Sequence, residues 1–408
     1  MIISDNEIII ENGVYNLKEF SKIHPGGSSI LNIFGGKDAT IHYYMLHSHE
    51  KIRPILSKYK LRDCNHKTDI YDINTKSFCD LKMRVKKAIS NPFANIEWYS
   101  KAFFILTTCV YLEYTNVAYG FEISRSVFQG FIMAMIGLCI QHDANHGAIS
   151  PNGWVNNLWG YTQDFIGGSA LLWKHHHVLL HHAYTNTINS DPDFSVEILR
   201  LHRYMQLMPF HKWQSIYIWF LLPLLPFSWH FKEIYDLVYM NHCDEKISQL
   251  AKREARVAIL MRILFITRFY VLPYYYHPSY YTIFCMMITL LTGGLYLGIN
   301  FIISHVFEGV AYYNTENVKE NDKKDWCVLQ IETSSSTGGR LLGYFHGGLN
   351  YQIEHHLFPR ICHVHYHKIQ PIIMEWCKEN NIKYNYFPSI IDNIISCYKY
   401  INRMGSYY

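Results

Sequence analysis

The chain has 408 residues, a formal net charge of +4, 49% hydrophobic residues and an aromatic load that includes 33 Tyr and 23 Phe. So mild a charge, with no dense basic arm, gives no footing for a nucleic-acid partner. Its ten cysteines stand singly without a Cys-x-x-Cys pair, which argues against a structural zinc site or a disulfide framework and for a reducing, cytosol-facing setting. Histidine is the outlier, with 24 residues that gather in clusters.

Residues 1–62 read as a small soluble α+β unit, with a turn at Asn12-Gly13 between two short apolar runs. The opening MIISDNEIII lacks the basic-then-apolar layout of a signal peptide, and the closing RMGSYY carries no retention or lipidation motif. The first chemical motif is HPGG at 24–27, where two glycines permit a tight turn that presents His24 as an axial haem ligand must be presented. GGKDAT follows at 35–40, and a helical stretch then carries His42, His47 and His49. With HPGG and a downstream Asp-Ala-Thr element, these residues resemble the cytochrome b5 family. The resemblance implies a haem b held by His24 and a second histidine nine residues after Asp38, which is His47. His49 is the alternative, and helical spacing turns the two about 200° apart, so only one can face the haem.

Residues 63–95 are polar and charged and read as a linker with a juxtamembrane segment, in which Lys82, Arg84, Lys86 and Lys87 face a membrane surface. Residues 96–408 form the larger unit. Its apolar stretches are 102–119, flawed by Glu113, then 126–141, 213–229, 257–276 and 281–304, while 158–172 is too short and Gly-rich to span. The mean hydropathy of −0.06 is diluted by the polar N-terminal unit and the histidine-rich segments. If the clusters at 142–182 and 305–356 share one site, an even number of crossings separates them. One of the three intervening stretches must then lie in the interface, and 257–276, with Arg262 and Arg268, is the expected one.

The clusters are HDANH at 142–146, HVLLHH at 177–182 and QIEHH at 352–356. His142 with His146, and His177 with His181, are four residues apart and share a helix face, with His182 adjoining. Gln352 precedes His355 and His356 by three and four residues. Imidazoles in such number can enclose two metals and suit iron as well as zinc. Ionisable groups at the edge of apolar segments are functional by default. A lone histidine on an apolar face is more often a hydrogen-bonded core residue, so His211, His230 and His277 receive no role, and the same applies to His175 and His176.

These three boxes in this order, together with GLNYQIEHHLFPR at 348–360, resemble the membrane fatty-acid desaturase family, and within it the front-end desaturases fused to cytochrome b5. The glutamine heading the third box is the feature of that subgroup, and the second box is one residue longer than the His-x-x-His-His of many relatives. The resemblance implies an N-terminal α+β b5-like domain followed by a mostly α-helical integral membrane di-iron domain with about four transmembrane helices. It implies two iron ions held by His142, His146, His177, His181, His182, His355 and His356, with His305 in NFIISHVFEG as a further ligand and Gln352 beside them. Asp143, Asp191 and Asp193 are candidate orienters of the imidazoles. The implied reaction inserts a cis double bond between an existing one and the carboxyl end of a polyunsaturated acyl chain, using O2. FEGV after His305 is closer to Δ5- or Δ4-type members. The implied partners are NADH-cytochrome b5 reductase, a fatty acyl substrate as acyl-CoA or phospholipid, O2 and membrane lipids, in the endoplasmic reticulum with haem and boxes facing the cytosol. A sphingoid long-chain-base desaturase shares the boxes. A lipid hydroxylase is disfavoured by the glutamine-headed third box. A membrane-anchored haem electron carrier would need only residues 1–62 and one span.

Overall fold

The computed structural model describes residues 3–47, 49–65, 70–194, 196–315 and 323–406. In the N-terminal part, β1 (Glu7–Ile10), β2 (Gly13–Asn16) and β3 (Lys60–Asp63) form an antiparallel sheet in sequence order, with Glu7 opposite Asn16 and Gly13 opposite Asp63. The turn falls on Glu11 and Asn12, one residue earlier than Asn12-Gly13, because Gly13 already pairs with Ile10. Helix α1 (Thr40–Leu46) follows the Asp-Ala-Thr element, in which the Asp38 carboxylate accepts from the Thr40 backbone N–H at 2.8 Å.

The small unit does not stand apart. Ile8, Leu17, Ile33 and Phe34 pack in one apolar core with Leu171, Leu172, Leu179 and Leu180 of α4 (residues 170–184). Polar contacts add to this seam. His42 Nε2 donates to the Val178 carbonyl at 3.0 Å, and the Lys174 ammonium donates to Ser29 Oγ at 3.0 Å. The HPGG loop itself is seated on the larger unit. The Gly153 N–H donates to the Pro25 carbonyl at 3.2 Å, and a Cβ on Gly153 would lie 2.3 Å from the Gly26 carbonyl oxygen, so only glycine admits this approach.

The larger unit is built on two helical hairpins. One is α2 (Ile96–Tyr119) with α3 (Ile123–Asn145); the other is α5 (residues 252–276) with α6 (Tyr280–His305). Asn95 and Ser279 cap α2 and α6 by accepting from the N–H groups of Trp98 and Thr282. The tips of the two hairpins meet, with His277 Nε2 donating to the Val117 carbonyl at 2.9 Å. Helices α3 and α6 approach closely at Gly130, where a Cβ would fall 2.2 Å from the Thr289 carbonyl oxygen. Both are long and apolar enough to cross a membrane by length and composition, and they are the two such helices among the described residues.

Residues 213–229 are broken by Pro223 and Pro226, lean Leu222 and Pro223 on Gly298 and Gly294 of α6, and turn back through a π-helical segment at Ser228–Lys232. Residues 257–276 lie within α5. The arginines that marked that stretch as interfacial are neutralised within the bundle: Arg262 pairs with Glu233 at 2.8 Å, and Arg268 pairs with Glu113 at 2.5 Å while lying over the Phe165 ring. The charges that flaw α2 and α5 one by one thus answer each other. Breaking a buried pair leaves an uncompensated charge at a cost of roughly 3 kcal/mol. Glu113→Ala should therefore lower the thermal unfolding midpoint in detergent clearly, and the double variant Glu113→Leu/Arg268→Met should recover most of the loss.

Candidate metal centres

Eight imidazoles from four segments converge at the box end of the bundle. His142 and His146 come from the end of α3, His177, His181 and His182 from α4, His305 from the last residue of α6, and His355 and His356 from α7 (Gln352–Leu357). Ring centroids are 4.4 Å apart for His142 and His355, 4.6 Å for His146 and His182, 4.4 Å for His182 and His356, and 4.8 Å for His181 and His305. Two groups of ligand atoms stand out, each within 4.8 Å: His142, His146, His177 and His355 in one, and His181, His305 and His356 in the other. His182 joins them, its Nε2 3.2 Å from that of His177 and 3.0 Å from that of His355. Every histidine expected at the centre is brought there.

The backbone reaches this geometry by a route that α-helical spacing misses. Residues Lys174–His181 wind as a π-helix, and the His182 N–H bonds the His177 carbonyl. In His-x-x-His-His the outer pair is four apart; the additional residue here makes it five, which is the π-helical hydrogen-bond repeat. The extra residue is absorbed as a widened turn, and His177 still meets His182. A second π segment, Ile136–Gln141, leads into the first box.

Outer hydrogen bonds aim the rings. His181 Nδ1 donates to Asp191 at 3.1 Å, His305 Nδ1 to the Thr333 carbonyl at 3.0 Å, and His356 Nδ1 to Gln330 Oε1 at 2.8 Å, while His355 Nδ1 is bonded to the Tyr366 hydroxyl at 3.0 Å. With Nδ1 occupied, Nε2 is left pointing inward as a ligand atom. Burial, reinforced by the neighbouring imidazoles, pushes His177, His182, His355 and His356 well below the ordinary histidine range. At His181 burial acts downward too, but the Asp191 carboxylate outweighs it and raises the group. The inner ring nitrogens of His177, His182, His355 and His356 thus face one another as neutral lone-pair donors. His142 Nε2 and His146 Nε2 are buried without a partner, each at a cost of about 1–3 kcal/mol. Metal cations relieve both defects, and nitrogen donors in this number suit two irons.

Gln352 sits in this circle. Its amide nitrogen is 2.9 Å from His305 Nε2 and 3.1 Å from His356 Nε2, and its Oε1 is buried without a partner. Turned about its last bond, the amide offers its oxygen to the same point. The three acids behave differently from one another. Asp191 orients His181, and Asp193 serves both His176, at 2.7 Å, and His181, at 3.4 Å. Asp143 does not serve a box imidazole: it accepts from Trp98 Nε1 at 2.8 Å and holds His363 at 2.5 Å. It ties the first box to the segment after the third. Gln330, Tyr366 and the Thr333 carbonyl carried no sequence signal, because none lies in a histidine cluster.

At the N-terminal site the rings of His24 and His47 face each other with centroids 6.0 Å apart. Two imidazoles bonded to one metal at about 2 Å each, with about 1 Å more from nitrogen to ring centre, require about that separation. His47 Nδ1 faces the Tyr43 carbonyl at 3.3 Å, which leaves its Nε2 free. Burial first, and then Arg360, hold His47 at about 4; burial, His47 and Arg360 do the same for His24. Both are thus neutral and competent to ligate. His42 is spent on Val178, and the side chain of His49 lies outside the described residues. Arg360 follows the third box by four residues and also approaches the Gly147 backbone beside the first, so one cation adjoins both centres.

Comparison with known proteins finds a family for each part of the chain. Residues 124–388 match the Fatty acid desaturase family, and residues 5–65 match the Cytochrome b5-like Heme/Steroid binding domain. The chain is 35% identical over 404 residues to the acyl-lipid (7-3)-desaturase of Diacronema lutheri, covering 98% of this chain and 90% of that protein. It is 28% identical over 428 residues to the acyl-lipid (8-3)-desaturase B of Dictyostelium discoideum, covering 99% and 92%. With the sn-1 linoleoyl-lipid 6-desaturase of Arthrospira platensis it shares 30% identity over 326 residues, covering 77% and 88%.

Two outcomes are expected. His24→Ala and His47→Ala should each abolish the haem absorption bands of the purified protein, whereas His49→Ala should keep them; loss of haem in His49→Ala alone would reverse the assignment. Gln330→Leu removes the acceptor of His356 Nδ1 and should weaken iron retention about 10–100-fold against a chelator, with the haem spectrum unchanged.

Proposed function

This chain belongs to the fatty acid desaturase family, as an oxygen-dependent front-end enzyme with its own b5-like haem domain, and we propose that it acts on a polyunsaturated acyl chain esterified to a lipid. The relatives named as acyl-lipid desaturases support that substrate class. The FEGV sequence after His305 favours Δ5- or Δ4-type selectivity within it. The observation that carries the reading is the convergence of eight imidazoles on one site, four of them aimed by outer hydrogen bonds.

In this proposal His142, His146, His177, His181, His182, His305, His355 and His356 hold two irons, Gln352 lies beside them, and His24 and His47 hold haem b. When bound, the haem would supply electron transfer and the irons the O2 activation that removal of two hydrogens from adjacent methylenes requires. The protein supplies placement. Asp191, Gln330, Tyr366 and the Thr333 carbonyl fix ring orientation, and full burial of His182, His355 and His356 keeps water from the inner nitrogens. The seat of the HPGG loop on Gly153, seven residues after His146, brings the haem face to the box end of the bundle.

We assign residues 1–62 to the haem domain, 63–95 to the linker and juxtamembrane segment, and 96–408 to the desaturase domain. The membrane arrangement proposed has four crossings, by α2, α3, α5 and α6, with 213–239 entering and returning on one side. Two crossings then separate the second and third boxes, as a shared site demands. The exposed Lys86 and Lys87 before α2 support a cytosolic position for haem and boxes, in the endoplasmic reticulum, with NADH-cytochrome b5 reductase as electron donor; Lys82 and Arg84 turn instead to the Tyr44 carbonyl and to Asp80 and Glu379.

Yeast expressing the chain and fed single polyunsaturated acids tests the proposal, with double-bond position read by mass spectrometry. One new cis double bond should appear on the carboxyl side of the existing ones in lipid-bound acids. It should vanish in His355→Ala and fall strongly in Gln352→Ile, while Gln352→His keeps measurable activity. A hydroxylated acid or an altered sphingoid base as sole product would refute it.

A further inference from the structure

Outside the imidazole nest, His176 meets the hairpin that joins the returning segment to α5. Strands Asn241–His242 and Glu245–Lys246 pair antiparallel around a two-residue turn made by Cys243 and Asp244. Both turn residues have positive φ, 53° and 59°, the conformation that favours Asn-Gly, and a β-carbon-bearing pair there costs of order 1–3 kcal/mol each. The strained turn turns the Cys243 thiol toward two imidazoles. Its Sγ is 3.4 Å from His176 Nδ1, and one ligand atom each from His176, His242 and Cys243 fall within 4.8 Å of one another. A thiolate and an imidazole on one tetrahedral zinc, at about 2.3 and 2.0 Å, stand about 3.5 Å apart.

The outer nitrogens are already engaged in the manner of metal-bound histidines. His176 Nε2 donates to Asp193 at 2.7 Å, and His242 Nδ1 donates to Asp236 at 2.8 Å. That turns Nδ1 of His176, which lies against the Cys243 sulfur, and Nε2 of His242 toward the same point. All three side chains are only partly buried, which leaves room for water and a path for an ion.

We propose that His176, His242 and Cys243 form a zinc site, separate from the iron centre, with water as fourth ligand. One thiolate and two imidazoles are a donor set for zinc rather than for a hard cation. The ion would pin the 241–246 hairpin to α4 and hold Asp193, whose second oxygen lies 3.4 Å from His181 Nδ1, so that this carboxylate serves both centres.

The test uses the full chain purified in detergent, incubated with zinc and dialysed, with zinc, non-haem iron and haem measured together. The wild type should retain one zinc per chain. Cys243→Ser and His242→Ala should retain at least about tenfold less while keeping haem and iron. Cobalt in place of zinc should give a thiolate-to-cobalt charge-transfer band in the wild type that Cys243→Ser lacks, and this decides the matter should either variant fail to fold. A wild type that retains no zinc, equal zinc in wild type and variants, or cobalt binding without the thiolate band would overturn the site.

Discussion

Eight imidazoles packed against one another are the constraint on which this molecule is built. Ring nitrogens such as those of His182, His177 and His355 approach to 3.0–3.2 Å, a spacing that lone pairs tolerate only with a proton or a cation between them. Protonation is opposed by burial and by the neighbouring rings. The protein therefore carries an unresolved electrostatic demand that metal ions satisfy, and the surrounding fold is the scaffold that holds the demand in place. Without the Asp191, Gln330, Tyr366 and Thr333 contacts, each ring could rotate and the donor set would disperse.

The rest follows from the need to bring four separated segments to one point. Two hairpins with touching tips carry the first box and His305 down the same side of the bundle. The pairings Glu113–Arg268 and Glu233–Arg262 let α2 and α5 remain inside it despite their charges. The haem unit shares an apolar core with α4 and seats its HPGG loop on Gly153. Docking is thus part of the fold, and Arg360, between the third box and the rings of His24 and His47, marks where the two centres adjoin.

Much of the centre was legible in the sequence because metal ligation demands a narrow set of residue types at fixed spacings. Boxes at helical spacing, HPGG and the Asp-Ala-Thr element expose it residue by residue. What was hidden depends on long-range placement. Gln330 and Tyr366 are ordinary residues until the chain folds them onto His356 and His355. The π-helical turn at 174–181 hides in a single additional residue. Arg262 and Arg268 looked unpaired in the sequence because their partners, Glu233 and Glu113, lie 29 and 155 positions away. His176 looked like an ordinary hydrogen-bonded core histidine, since Cys243 and His242 sit in a hairpin far along the chain. Asp143, adjacent to His142, would be assigned to its neighbour's ring, yet the helix turns it to Trp98 and His363.

The central claim is that this nest holds two irons beside one haem. The ratio of non-haem iron to haem in the purified, active full-length chain tests it most directly, with Mössbauer spectra identifying the iron. The account predicts two non-haem irons per haem, in environments of nitrogen-rich ligation. An active preparation with one non-haem iron or none would contradict it.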